Sequence, residues 1–435
     1  MQEGLVVVEG VPRLGWVMES PENGTQQSAY EIDIREALTG RSVWNSGKVN
    51  SSQSQLVSIE GADIRSGNLL NYIWRVRVWD ESGSPSQWSS DAKFRSVPDC
   101  FSSRKWIGAI TRQDAHLPEG RKFHGGELKK PEVKAAWEAV DTLAKKSIYL
   151  RKTFELGDIK GGSAGRKTSK RIVEATAYVC GLGFYEFSLN GKKVGDSEFA
   201  PLWSDYDKSV YYNTYDVTEL LQNGENAVGV LLGNGFYNVQ GGRYRKLQIS
   251  FGPPTLLFEL VVNYEDGTHT VIHSDNGWKY DLSPITFNCI YGGEDYDARG
   301  EQKGWNQVGF DDSDWRPVVV QEAPKGILRP QMARPVKIME RHNIQKVTKL
   351  NDEQVALASK STKRVVAPSA LVLDMGQNLA GFPEITVRGK RGQKVTLIVA
   401  EALTEEGACN QRQTGRQHYY EYLSLIHISE PTRLG

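Results

Sequence analysis

The sequence predicts a mainly β protein, built as tandem antiparallel β-sandwiches with one inserted helix. Three observations carry that prediction. Short runs of alternating apolar and polar residues recur along the chain, parted by turn formers such as Glu22-Asn23-Gly24 and Ser82-Gly83-Ser84-Pro85. Asn190-Gly191 and Asp266-Gly267 each stand between two such runs, the dipeptides that a two-residue hairpin turn favours. Glycine reaches 43 of 435 residues, and 11 Trp and 18 Tyr stand against 5 Met. Many glycines and aromatics with few flexible aliphatics suit short strands joined by tight turns.

The length allows about three domains, and the patterns divide accordingly. In residues 1–99, Tyr72, Trp74, Val76 and Val78 share one strand face, with Ile73, Arg75, Arg77 and Trp79 on the other. This stretch resembles a fibronectin type III module through Trp16, the run 74–80 and Trp88, and those tryptophans are expected to fill its core. Residues 100–324 form a second sandwich, of jelly-roll or galactose-binding-like type, with strands expected at 147–154, 172–180, 184–189 and 255–264. A helical insertion is expected within 113–146. There Pro131 suits a first turn, and Val133, Trp137 and Val140 line one face at i, i+4, i+7. The Gly, Ser and Lys-rich stretch 156–171 has no periodicity and reads as a mobile surface loop. A third, partial β-sandwich spans 325–423, with strands at 370–374, 382–387 and 394–400. The tail 424–435 continues no strand pattern. Its string SLIHISEPTR resembles a translated sequencing adapter, so it is expected to be disordered and dispensable.

Composition narrows the function classes. Fifty-three basic residues balance fifty-three acidic ones, which excludes a strongly basic nucleic-acid binder and weakens an anionic-membrane role. No 18-residue apolar run is present, so no membrane-spanning helix is expected, and residues 1–4 do not open a signal peptide. Cys100, Cys180, Cys289 and Cys409 are far apart and read as isolated buried thiols. No metalloprotease, phosphate-loop, serine-hydrolase or EF-hand motif appears, and the seven histidines are scattered singly.

Two acidic clusters remain, Glu294-Asp295-Tyr296-Asp297 and Asp311-Asp312-Ser313-Asp314. A glycosidase needs two carboxylates facing each other across a sugar, which neighbours in one turn do not guarantee. Their plain role is capping backbone N–H groups; a calcium site is the next option. Aromatics including Trp203, Tyr206, Phe236, Tyr291 and Tyr296 flank them. Stacking rings beside carboxylates suit a sugar, so Trp203, Asp205, Tyr206, Asp295 and Tyr296 are the candidate carbohydrate-binding residues. At any one of these positions the plainer reading is an aromatic that fills the core.

The motifs Gly181-Leu182-Gly183-Phe184-Tyr185-Glu186, Leu189-Asn190-Gly191-Lys192-Lys193-Val194-Gly195-Asp196 and Ala200-Pro201-Leu202-Trp203-Ser204-Asp205-Tyr206 resemble the N-terminal part of bacterial α-L-rhamnosidases. So do Leu232-Gly233-Asn234-Gly235-Phe236-Tyr237, Gly293-Glu294-Asp295-Tyr296-Asp297-Ala298-Arg299 and, in the next β-domain, Asp374-Met375-Gly376-Gln377-Asn378. The resemblance implies an exo-acting, inverting glycosidase that releases terminal α-L-rhamnose from glycans or glycosides, exported to the periplasm or exterior. Its acid and base would lie on an (α/α)6 barrel C-terminal to these domains, with no cofactor for catalysis. Nothing in 1–423 matches that barrel, so no catalytic residue is assigned and the chain is expected to be inactive as it stands. Some members of the family bind rhamnose with calcium, for which Asp205 and Asp207 are the candidate ligands. Here Ile249–Pro253 stands where an Asn ligand would be expected. The alternatives are a non-catalytic multi-domain carbohydrate-binding protein and a spacer array.

Overall fold

The structure is a computed structural model. It describes the chain apart from residues 1–4, 9, 38, 66–70, 97–100, 102–104, 119–121, 158–169, 244–246, 363, 365, 368, 388, 412–416, 425–429 and 434–435. Cys100 and most of the stretch 156–171 therefore lie outside the described residues.

The first unit is a five-stranded sheet in the order Leu5–Val8, Ala92–Ser96, Asn71–Asp80, Gln27–Glu36, Ser42–Asn45. Its first pair is parallel and the rest antiparallel. The inward face of Asn71–Asp80 is the alternating one: Tyr72, Trp74 and Val76 pack against Trp16, Ile32 and Ile34. Trp79 is buried, at 8% exposure, but outside the inner-face cluster, and Trp88 is only half-buried. On the outer face Arg75 and Arg77 lie over the Trp88 ring at 4.7 and 4.8 Å, and Arg77 and Lys48 lie over Trp79 at 5.1 and 4.7 Å. Alternation gave this face two arginines, and guanidinium planes cover an indole as well as aliphatic side chains do.

The second unit is a sandwich. A six-stranded sheet (Lys192–Lys193, Tyr185–Leu189, Gly224–Leu232, Ile148–Leu156, Lys279–Leu282, Arg316–Pro317) faces a seven-stranded one centred on Thr255–Tyr264 and Ile172–Leu182. The core between them includes Phe187, Phe258 and Trp278, with ring pairs 5.6 and 5.4 Å apart. Every residue of Thr255–Tyr264 is buried. Its other side meets a second apolar layer containing Tyr178, Tyr206, Tyr212 and Tyr237. Both hairpin signals form as read: Asn190 and Gly191 turn with φ of 49° and 82°, joining Ser188 to Lys193, and Asp266-Gly267 joins Thr255–Tyr264 to His269–His273. The insertion folds as Gly125–Lys129, helix Pro131–Glu138 and Thr142–Lys145, burying Trp137 and Val140 with Val133 against them.

The third unit is a set of small sheets around a second helix, Asp352–Thr362. Only one helix was expected. The missed signal is a reciprocal cap: the Asn351 side chain accepts from Gln354 N at 2.9 Å, and the Gln354 side chain accepts from Asn351 N at 2.9 Å. Tyr419–Leu423 pairs in parallel with Gly293–Asp297, so the third unit shares a sheet with the second. The tail also departs from expectation. Glu430–Arg433 pairs antiparallel with Glu384–Val387, because an open strand edge offers backbone partners whatever the side-chain pattern.

Candidate carbohydrate-facing site

The five candidate residues divide by burial. Trp203 is 63% exposed, and among the described side chains no other aromatic is exposed. Its ring leans on Phe236, 5.4 Å away and tilted 31°. Phe236 meets Phe184 at 6.0 Å and Tyr291 at 6.1 Å, Phe184 meets Phe199 at 5.4 Å, and Phe199 meets Phe382 of the third unit at 5.8 Å. Trp203 thus ends a chain of rings that crosses from the second unit to the third.

Tyr206 is different. It is 3% exposed, edge-on to Tyr237 and Phe251 at 5.1 Å each, and belongs to the apolar layer behind the sheet. The chain runs here as a loop and turn between Ser197–Glu198 and Ser209–Asp216, which leaves Trp203 and Asp205 exposed and turns Ser204 and Tyr206 inward. Burial accordingly pushes the Tyr206 hydroxyl well above its ordinary range.

Asp205 stays at the surface. Its hydrogen bond with Lys208, 3.1 Å away, holds its carboxyl below the usual carboxylate range, and it also accepts from Asp207 N at 3.3 Å. Calcium needs six to eight oxygen ligands. Here Asp205 is taken by a lysine, Ser204 donates to Ser209 O, and among the described residues no three His, Cys, Asp or Glu are grouped to hold a metal.

Asp295 and Tyr296 lie elsewhere, at the seam between the second and third units. Arg243 pairs with Asp295, donates to Tyr419 O at 2.9 Å and Gly292 O at 3.3 Å, and is stacked on the Tyr419 ring at 3.5 Å. Tyr296 stacks on Tyr422 at 5.9 Å and donates to Glu301 at 2.8 Å. Burial is the first cause that pushes its hydroxyl up. These two residues join units; the two halves of the candidate set do not converge.

The remaining acids take their plain roles. Asp297 accepts from Arg299 N at 3.1 Å, Asp311 accepts from Ser313 N at 3.0 Å, and Asp312 pairs with Arg151 and with Lys279 at 2.7 Å. Glu294 is the exception. It is 7% exposed. Burial, with Glu186 and Asp295 nearby, pushes its carboxyl well above the ordinary value. Arg243 and Glu294 were not singled out from sequence. Only Gly292-Gly293 hinted at the seam: Gly293 has φ of 86°, and a Cβ there would overlap the Tyr419 carbonyl.

Fold and site together define a class: a tandem β-sandwich region with an exposed aromatic ledge. Three family models match in order. They are a Rha78A-like N-terminal immunoglobulin domain over residues 1–97, the α-L-rhamnosidase N-terminal domain over 170–340, and the bacterial α-L-rhamnosidase concanavalin-like domain over 364–426. An α-L-rhamnosidase of Formosa agariphila is 34% identical over 408 residues, covering 91% of this chain and 39% of that protein. Among solved structures, the Streptomyces avermitilis α-L-rhamnosidase complexed with L-rhamnose matches with TM-score 0.74 at 25% identity, covering 99% of this chain and 53% of that one. The α-L-rhamnosidase from Dictyoglumus thermophilum gives 0.72 at 28% identity, with 100% and 44% covered. The chain belongs to the bacterial α-L-rhamnosidase family and corresponds to its N-terminal β-domains. It spans about two-fifths of the length of the curated relatives it matches.

Proposed function

We propose that this chain is the non-catalytic front of an α-L-rhamnosidase, bracing a region that releases terminal α-L-rhamnose from glycans or glycosides by inversion. The observation that carries the reading is the order of the three family matches, combined with relatives more than twice as long. The side chains support the non-catalytic part of it. Inversion needs a carboxylic acid and a carboxylate roughly 6.5–9.5 Å apart across the sugar. Among the described residues, Asp295, Asp297 and Asp312 are held by arginines and Asp205 by a lysine.

The 435-residue chain should therefore give no turnover of an aryl α-L-rhamnoside above buffer, at any pH from 4 to 9. Measurable, concentration-dependent release of the aryl group would overturn the assignment. A carbohydrate-binding role contracts to Trp203 and Asp205. L-Rhamnose titrated with and without calcium, followed by tryptophan fluorescence, tests it, and loss of any saturable change in Trp203→Ala would support it.

A further inference from the structure

The ground around Trp203 is apolar. Ser197–Glu198 pairs antiparallel with Val336–Lys337, and Leu202 N donates to the Gln331 side chain at 2.9 Å. Residues 197–203 therefore run alongside 331–337. The exposed residues of this double strip and its continuation include Trp203 at 63%, Met332 at 59%, Val336 at 44%, Ile338 at 36% and Met339 at 85%, with Ala333 and Arg334 also exposed. Ion pairs rim it: Asp205 with Lys208 at 3.1 Å and Asp196 with Lys337 at 2.7 Å.

From this geometry we propose that the strip is a protein-docking face, and that its occupant is the portion of an α-L-rhamnosidase that the matched relatives carry beyond the length aligned here. The inference rests on the function proposed above and names the surface through which it acts. Three features select a protein over a sugar. An exposed tryptophan with two methionines is the composition of an interface anchor, since Trp concentrates binding energy and Met adapts its shape. A sugar site needs free polar groups around its ring, whereas Asp205 is engaged by Lys208 and Ser204 by Ser209. Trp203 is also braced through Phe236, Phe184, Phe199 and Phe382, so little side-chain freedom remains to be lost on docking. The occupant follows from length: the relatives align over 39% and 38% of their chains and hold the larger part outside that match.

The methionines supply the test. Peroxide oxidation of the 435-residue chain, read by peptide mass spectrometry, should modify Met332 and Met339 quickly. Residues 1–423 are then fused in frame to the remaining portion of the Formosa agariphila relative. In the fusion both methionines should oxidise at least tenfold more slowly, while Met18, 44% exposed in the first unit, is unchanged. Trp203→Lys in the fusion should restore fast oxidation. Equal oxidation in both proteins overturns the docking face. Turnover of the aryl rhamnoside by such a fusion would leave the rhamnosidase reading intact while this inference falls. If the fusion does not fold, the same footprint is read on the 435-residue chain with that portion added in trans, and unprotected methionines again overturn it. Protection of Met332 in the chain alone by millimolar L-rhamnose, or by raising its own concentration, would assign the strip to a sugar or a second copy and equally overturn it.

Discussion

Glu294 shows how one side chain can couple a seam to pH. Its carboxyl is buried, which raises its pKa, and its neighbours Glu186 and Asp295 raise it further. The sign follows from linkage. Below the ordinary carboxylate range both folded and unfolded chains hold the proton, and the residue is neutral to stability. Above it the unfolded chain releases the proton while the folded chain keeps it, so stability falls as pH rises until the folded-state value is passed. Glu294→Gln removes that loss. It should be close to neutral near pH 4 and increasingly stabilising toward pH 8, since each pH unit between the unfolded- and folded-state values costs the parent chain about 1.4 kcal/mol. Urea unfolding at both pH values reads the difference; a stabilisation equal at pH 4 and pH 8 would mean that Glu294 does not keep its proton. Residues of this kind were the least legible in the sequence. Glu294 reads there as one acid in a loop cluster, and only the pairing of Gly293–Asp297 with Tyr419–Leu423 buries it. Trp203 was legible as an aromatic, but its exposure, like the burial of Tyr206, is set by the path of an irregular loop that carries no periodic signal.

At the scale of elements, local chemistry was readable wherever it was decisive locally. Asn190-Gly191 fixed a hairpin because both residues accept positive φ, and the apolar run Thr255–Tyr264 forms a strand with the bounds read from the sequence. Non-local contacts were not readable: Arg75 and Arg77 cover Trp88 on a face that alternation alone would leave wet. The helix Asp352–Thr362 was overlooked although its cap is written in residues 351–354. Asn351→Ala removes the acceptor for Gln354 N, and it should cost about 1 kcal/mol. Because Leu350, Ala358, Val372 and Ala408 pack together beside this helix, the loss should appear in the third unit. Amide exchange over 352–362 should quicken severalfold while Thr255–Tyr264 exchanges as before. Unchanged exchange in the helix would show that packing rather than the cap defines its start.

At the scale of the whole molecule, a buried arginine sits at each junction between units. Arg243 ties the second unit to the third, and Arg95 ties the first to the second. Arg95 is fully buried on the edge of the first unit and pairs with Glu174 of the sandwich. It also donates to Asn71 at 2.7 Å, to Thr176 at 3.3 Å and to the Tyr178 hydroxyl at 3.4 Å. A guanidinium suits this place because its planar fork reaches several acceptors at once, which lysine cannot. Removing one partner of a buried pair is costly because the other charge is left unpaired, typically by about 3–5 kcal/mol. Glu174 keeps some access to solvent, with 19% of its side chain exposed, so the lower end of that range applies. Arg95→Met should therefore uncouple the first unit. Calorimetry of the variant should show residues 1–96 melting in a separate, earlier transition, with the transition of the sandwich little changed. Adding Glu174→Gln removes the stranded charge and should recover part of the loss. An unaltered single transition in Arg95→Met would mean that the junction is held by backbone and apolar contacts, and that the first unit is braced without its arginine.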